Sequence, residues 1–242
     1  MKEVFPQIRS ALDKVSGIIY GYPAYCSLCS ALPVGEDGVC SQCIETLENQ
    51  MTNTCIICGI PLASPLTLCQ TCRLNMYYFD RAKSAGIYKG LLKDAILRMK
   101  YRGERWLSRP LGHLLSNVAV SMGSVDMVVP IPLEPSSMEK RGYNQAKDLA
   151  LYVSYKIKVP LFDILIREGK KDRQAKLKKL SRWENLRDTM KVETGCEIPG
   201  SIVLLVDDVM TTGATLDEGA RALKQAGAEK VLCATLARTV RY

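Results

Sequence analysis

Two groups of residues in this chain have the types and spacing to do chemistry. The first is the run Ile202-Val-Leu-Leu-Val-Asp207-Asp208-Val-Met-Thr211-Thr212-Gly213-Ala214-Thr215. An apolar stretch, Ile202 to Val206, leads into two carboxylates, a turn of small residues and a helix start. Open backbone amides at a helix N-terminus, with threonine hydroxyls beside them, favour a dianionic phosphate. The paired carboxylates could accept hydrogen bonds from vicinal sugar hydroxyls or hold a divalent cation. One end of the motif is suited to phosphate, the other to sugar.

The second group is made of sulfur. Eight of the 10 cysteines form Cys-x2-Cys pairs: Cys26 with Cys29, Cys40 with Cys43, Cys55 with Cys58, and Cys69 with Cys72. Two such knuckles facing each other give the tetrahedral thiolate set that a structural zinc ion takes, so two zinc ions are expected. The only histidine, His113, lies outside this region, so the sites should be all-cysteine, and His113 is read as structural. Sequential pairing, Cys26 to Cys43 on one ion and Cys55 to Cys72 on the other, is favoured over a cross-braced arrangement, which spacing leaves open. The isolated Cys196 and Cys233 are read as a loop residue and a core residue.

These groups need elements to position them. Ile202 to Val206 reads as a strand buried on both faces of a parallel sheet, with the acids at its carboxyl end, and Ala214 to Ala226 as a helix stopped by Gly227. Upstream, Ser84 to Tyr88 reads as a strand, Gly90 to Tyr101 and Leu107 to Met122 as helices, and Val125 to Pro130 as a second buried strand. Pro130-Ile131-Pro132 then closes the ladder and opens a rigid loop fit for a ligand, where a cis bond before Pro132 is conceivable. Asn144 can cap a helix running to about Ile157. Between Arg167 and Lys191 stand ten Lys or Arg against four Asp or Glu. That stretch reads as a solvated helix face, a loop over a diphosphate, or a track for single-stranded nucleic acid.

The chain has 242 residues, 47% of them hydrophobic, and a formal charge of +8. It is long enough for one large domain or two modest ones, and the charge gives a mild attraction to polyanions. No apolar stretch approaches the roughly 18 residues of a membrane span, and Met1 to Pro6 lacks a signal peptide's charged and apolar regions. No membrane insertion and a cytoplasmic location are expected.

The acidic doublet followed by Thr-Gly is similar to the signature of type I phosphoribosyltransferases. Taken with the cysteine knuckles, Leu97-Arg-Met-Lys-Tyr-Arg-Gly103, Pro130-Ile-Pro-Leu133, Arg141-Gly-Tyr-Asn-Gln145, and Gln174 with Leu177, Arg182 and Asn185, the chain resembles the ComF family, associated with competence and DNA uptake. The resemblance implies an α/β fold with a type I phosphoribosyltransferase-like parallel sheet flanked by helices over 81–242, preceded by a double zinc ribbon over 1–80. It implies binding of phosphoribosyl pyrophosphate (PRPP) with magnesium. Asp207 and Asp208 would be the catalytic pair meeting the ribose hydroxyls, and Thr211, Thr212, Gly213, Ala214 and Thr215 would wrap the 5′-phosphate. Pro130, Ile131, Pro132, Lys100 and Arg141 would complete the PRPP site, Arg141 pairing bidentately with pyrophosphate. The implied activity is pentosyl transfer to an unknown acceptor, with single-stranded DNA and a helicase-like uptake protein as partners. A non-catalytic nucleic-acid-binding or PRPP-sensing adaptor is the alternative.

Overall fold

The computed structural model describes residues 24–31, 34, 37–64, 66–167 and 188–240. Their order is α1 (Ser41–Asn49), α2 (Gln70–Leu74), β1 (Arg81–Ile87), α3 (Gly90–Tyr101), a 3-10 turn (Arg105–Leu107), α4 (Ser108–Val120), β2 (Met127–Pro130), α5 (Pro135–Arg141), α6 (Gln145–Ile157), β3 (Leu165–Arg167), β4 (Met190–Val192), β5 (Ile202–Met210), α7 (Ala214–Gln225) and β6 (Lys230–Arg238). Four strands form a parallel sheet in the order β1-β6-β5-β2, and β3 pairs antiparallel with β4.

The sheet is apolar on both faces because helices cover both. Successive side chains on a strand point to opposite faces, and β5 divides its residues accordingly. Leu204 and Val206 join one core with Leu232, Ala234 and residues of α3, α4 and α6. Val203 and Leu205 join the other with Val231, Cys233 and residues of α7. Helix α3 presents Leu92, Ala95, Ile96 and Met99 to its core, the three-and-four spacing of an amphipathic helix. Helix α6 opens on Asn144, whose side chain accepts from the Ala146 amide at 3.0 Å. On the opposite face, a buried Arg221–Glu218 pair at 2.8 Å ties α7 to β4, since Met190 donates its amide to Glu218 and accepts from Arg221.

Most expected elements are found with shifted ends, and one shift matters. The strand carrying the acids does not stop at Val206 but continues to Met210. Its partner β6 is long enough to hold it there, pairing Asp207 with Thr235 and Met210 with Arg238, whereas β2 stops at Pro130 opposite Val206. The acids therefore sit where one neighbour has ended and the other has not, and the crevice opens on the β2 side. Similarly, the first strand starts at Arg81 rather than Ser84, and a 3-10 turn precedes a helix that begins at Ser108 rather than Leu107. The described residues contain no cis peptide bond, so the conceived cis bond at Pro132 is corrected to trans. Most of the basic stretch, 168–187, lies outside the described residues, as do Gln174, Leu177, Arg182 and Asn185.

Candidate functional site

Each cysteine cluster is built the same way: a tight knuckle meets the start of a short helix. Cys40 is the N-cap of α1 and Cys69 the N-cap of α2, so Cys43 and Cys72 fall three residues on, inside the first helical turn. Cys26, Cys29, Cys40 and Cys43 bring their sulfurs within 4.8 Å of one another, as do Cys55, Cys58, Cys69 and Cys72. The pairing is sequential. All eight are free thiols. Cys29 and Cys40 sulfurs are 3.8 Å apart, and those of Cys58 and Cys69 3.7 Å. Zinc–sulfur bonds of about 2.3 Å in a tetrahedron put sulfurs about 3.8 Å apart, so the donor set suits zinc.

The electrostatics point the same way. Burial opposes the thiolate at Cys26, but the amides of Cys29, Cys40 and Leu28 outweigh it and bring that thiol down to about 6. At Cys55 the amides of Cys58, Cys69 and Ile57 do the same, to about 7. Burial and neighbouring sulfurs push Cys43 and Cys72 far up instead. Four crowded sulfurs ionise together only around a cation.

At the carboxyl end of the sheet lies a crevice of about 270 Å³. Lys100, Ile131, Pro132, Arg141, Asp207, Asp208, Thr211 and Thr215 all line it, joined by Tyr88, Leu133, Asn144, Gln145, Ala146, Arg167 and Val209. Thr212, Gly213, Ala214 and Pro130 are neighbours in the chain of these lining residues but do not line the crevice themselves. A larger depression of about 380 Å³ runs along the edge of β1 between α1 and α4, past Glu48, Thr54, Lys83, Leu114 and Ser121. It touches neither the acids nor the threonine loop, so the smaller crevice is the chemically organised one.

Within the crevice the two acids differ. Asp208 accepts from the Lys100 ammonium at 2.7 Å, and both side chains are largely buried, 11% and 15% exposed. Burial works against the Lys100 charge, yet Asp208 outweighs it and the ammonium is strengthened. Asp207 turns back on its own strand and accepts from the Asp208 amide at 2.8 Å. Desolvation first, and the charge of Asp208 second, push its carboxyl up to about 7. Asp208 is thus paired with an internal cation, while its neighbour Asp207 needs a further positive or hydrogen-bonding partner to ionise fully.

The threonine loop is shaped by Gly213. Its φ of 90° is a left-handed conformation that favours glycine, and a side chain there would meet the Met210 methyl at 2.8 Å. The loop then enters α7, where the amides of the first turn have no partner within the helix. The Thr212 hydroxyl takes the Ala214 amide at 3.3 Å. Opposite, Asn144 both caps α6 and donates its side-chain amide to the Ile131 carbonyl at 2.9 Å, fixing the proline loop. Arg141 is held at the mouth by Gln145 at 3.0 Å and by the Tyr101 hydroxyl at 3.1 Å, its guanidinium 4.9 Å over the Tyr101 ring.

Several residues were not singled out from the sequence. Asp217 accepts from the Tyr78 amide at 2.6 Å, and Arg238 gathers carbonyls beneath the threonine loop. The Lys100–Asp208 pair joins residues 108 positions apart, counted from their numbers, and no local signal marks it. An arginine ending a mainly apolar nine-residue strand is the one clue to Arg238.

The phosphoribosyl transferase domain matches residues 114–241. The chain is 30% identical over 202 residues to Competence protein ComFC of Streptococcus pneumoniae, covering 83% of this chain and 87% of that one. It is 28% identical over 215 residues to Competence protein F of Haemophilus influenzae, covering 86% and 93%. DNA utilization protein YhgH of Salmonella typhimurium is 27% identical over 226 residues, covering 90% and 98%. The chain belongs to the phosphoribosyl transferase family, as a ComF-type member with a cysteine-rich N-terminal part. No described helix is long and apolar enough to cross a membrane.

Proposed function

We propose that the crevice binds PRPP with magnesium and that the protein acts in the uptake or processing of incoming DNA. The observation that carries the PRPP reading is the meeting, in one crevice, of the acidic doublet, the threonine loop and Arg141. In this reading Thr211 to Thr215 receive the 5′-phosphate through open amides and hydroxyls, and Asp207 and Asp208 accept from the ribose hydroxyls. Arg141 takes the pyrophosphate beside the loop Pro130-Ile131-Pro132. Magnesium bound with PRPP near Asp207 and Asp208 would supply neutralising charge to the pyrophosphate. The protein's own contribution is to hold the sugar so that an acceptor meets the anomeric carbon, with Lys100 fixing the orientation of Asp208. The acceptor is unidentified.

The DNA role comes to this chain from the names of its relatives, competence and DNA utilization proteins. One feature supports single-stranded DNA as a partner. Tyr101 is 66% exposed at the crevice mouth under Arg141, and Arg105 stacks 4.9 Å over Tyr143 nearby. A basic rim interleaved with aromatic rings is the form of a single-strand track. We further propose two structural zinc ions in a module over 1–80, a catalytic or PRPP-sensing domain over 81–242, a cytoplasmic location and a helicase-like uptake partner.

The test is calorimetric titration of the zinc-loaded chain with PRPP, with and without magnesium, beside a variant carrying Asp207→Asn and Asp208→Asn. Magnesium-dependent binding that the double variant loses supports the reading; equal binding by both proteins, or none by either, contradicts it. Salt-dependent single-strand affinity that persists in the same variant, with no PRPP binding, would instead favour the adaptor.

A further inference from the structure

Among the described residues, the second cysteine cluster is wired to the threonine loop in a way the first is not. Arg238, the last residue of β6, is 5% exposed. Its Nε donates to the Cys58 carbonyl at 3.2 Å, and its Nη1 donates to the carbonyls of Met210 at 3.1 Å, Thr239 at 3.2 Å, and Thr211. One guanidinium therefore joins a cluster ligand to the last residue of β5 and the first residue of the loop. Its planar fork fixes several directions at once, which an ammonium would not do.

Other contacts reinforce this seam. The Ala82 amide donates to the Ile57 carbonyl at 2.6 Å, seating the Cys55–Cys58 knuckle on the edge of β1. There is no room for a side chain on Gly59, since a Cβ would lie 2.7 Å from the Ala82 carbonyl oxygen. Beyond Cys72, Phe79 lies against Gly213, and the Tyr78 amide is held by Asp217 in the first turn of α7. Chain from the second cluster thus touches the loop both from below and from its helical side. The first cluster packs elsewhere, with α3 and α4, and reaches Arg98 through the Ser27 carbonyl at 3.4 Å.

We infer that Arg238 is a positioning residue that couples the second cysteine cluster to the loop Thr211–Thr215, so that disturbing this cluster, and not the first, releases the loop. Its functional meaning rests on the phosphate-cradle reading given above; the coupling itself does not. A divalent ion among four thiolates leaves two negative charges, and the buried guanidinium beside Cys58 suits them. When the knuckle relaxes, the Cys58 carbonyl leaves the fork, and the amides that follow Met210 lose a fixed floor.

The experiment uses the full zinc-loaded chain and four variants: Cys69→Ser, Cys29→Ser, Arg238→Met and Arg238→Lys. Hydrogen exchange is followed over peptides covering 208–217 and, as an internal control, over α6; ribose 5-phosphate binding is measured by calorimetry. Cys69→Ser and Arg238→Met should speed exchange at the loop about tenfold or more while α6 is unchanged, with a parallel loss of ribose 5-phosphate affinity. Arg238→Lys should recover part of both effects. Cys29→Ser should leave the loop within about twofold of the parent. Equal effects from the two cysteine variants, or an unchanged loop in folded Arg238→Met, would overturn the inference. Should Cys69→Ser or Arg238→Met not fold, the mildest change, Arg238→Lys, decides alone by whether the loop exchanges faster. If the parent binds no ribose 5-phosphate, the proposed function fails, and exchange still decides the coupling.

Discussion

The cysteine region and the carboxyl end of the sheet solve the same problem, holding charged atoms together, by opposite means. Each cysteine cluster is local: its four sulfurs come from one short run of chain, from a knuckle and a helix start, and stand close enough together to suit an ion. The crevice is distributed, drawing Lys100 from α3, Ile131 from the loop after β2, Arg141 from the end of α5, and Asp207, Asp208 and Thr211 from β5 and beyond. Local sites depend on their ion, whereas distributed sites depend on the whole fold. A perturbation at one should therefore leave a recognisable signature that differs from a perturbation at the other.

The largest expected effect is loss of metal. Structural zinc contributes on the order of 10 kcal/mol in small zinc-binding peptides. Metal analysis should find two zinc ions per chain, falling to one when a ligand such as Cys29 or Cys69 is changed to serine, and a strong chelator should lower the thermal midpoint markedly. A chain whose melting ignores chelation would erase the contrast between an ion-dependent and a fold-dependent region.

Next comes Lys100→Met, which keeps the side chain's length but leaves Asp208 without its cation. Breaking a pair this buried should cost about 3 kcal/mol in denaturant unfolding, with zinc content unchanged. A cost near zero would mean that Asp208 is solvated rather than held.

The crevice should also respond to pH. Asp207 is raised from 3.8 to about 7, so the folded state keeps a proton that the unfolded chain releases. This group therefore favours folding at low pH, and its contribution fades as pH rises from about 4 to about 7. Cation binding needs the carboxylate and runs the other way: magnesium-supported PRPP affinity should rise between pH 6 and 8, by up to about tenfold per unit below 7. Calorimetry at three pH values measures this, and Asp207→Asn should flatten the slope.

The smallest effect is expected from Asn144→Ala. It removes the cap of α6 and should cost about 1 kcal/mol in unfolding. Because Asn144 also pins the Ile131 carbonyl, PRPP affinity should fall modestly at the same time, while a surface cap elsewhere would change stability alone.

The difference between the regions also explains what could be read from residues in order. The knuckles were legible because cysteine pairs, their repeat and the missing histidine are all short-range facts, and sequential pairing followed from the repeat. The helix Gly90–Tyr101 was legible from its apolar period and matched at both ends. The sequence puts the acids at a strand terminus, whereas β5 runs past Asp208, because strand length is decided by the partner strand β6. Lys100 and Asp208 are both named through motifs, but their pairing is not legible, since only the folded sheet brings helix α3 to the end of β5. Arg238 escaped for the same reason, its four carbonyl partners coming from three separated segments.

The central claim, that the loop after the acidic doublet receives a phosphorylated sugar, is tested most directly by a crystal structure of the zinc-loaded protein with PRPP and magnesium. The expected result is the 5′-phosphate within hydrogen-bond distance of the amides of Thr211 to Thr215, with the ribose hydroxyls on Asp207 and Asp208. Ligand bound elsewhere, or a loop whose amides face away from it, would contradict the account.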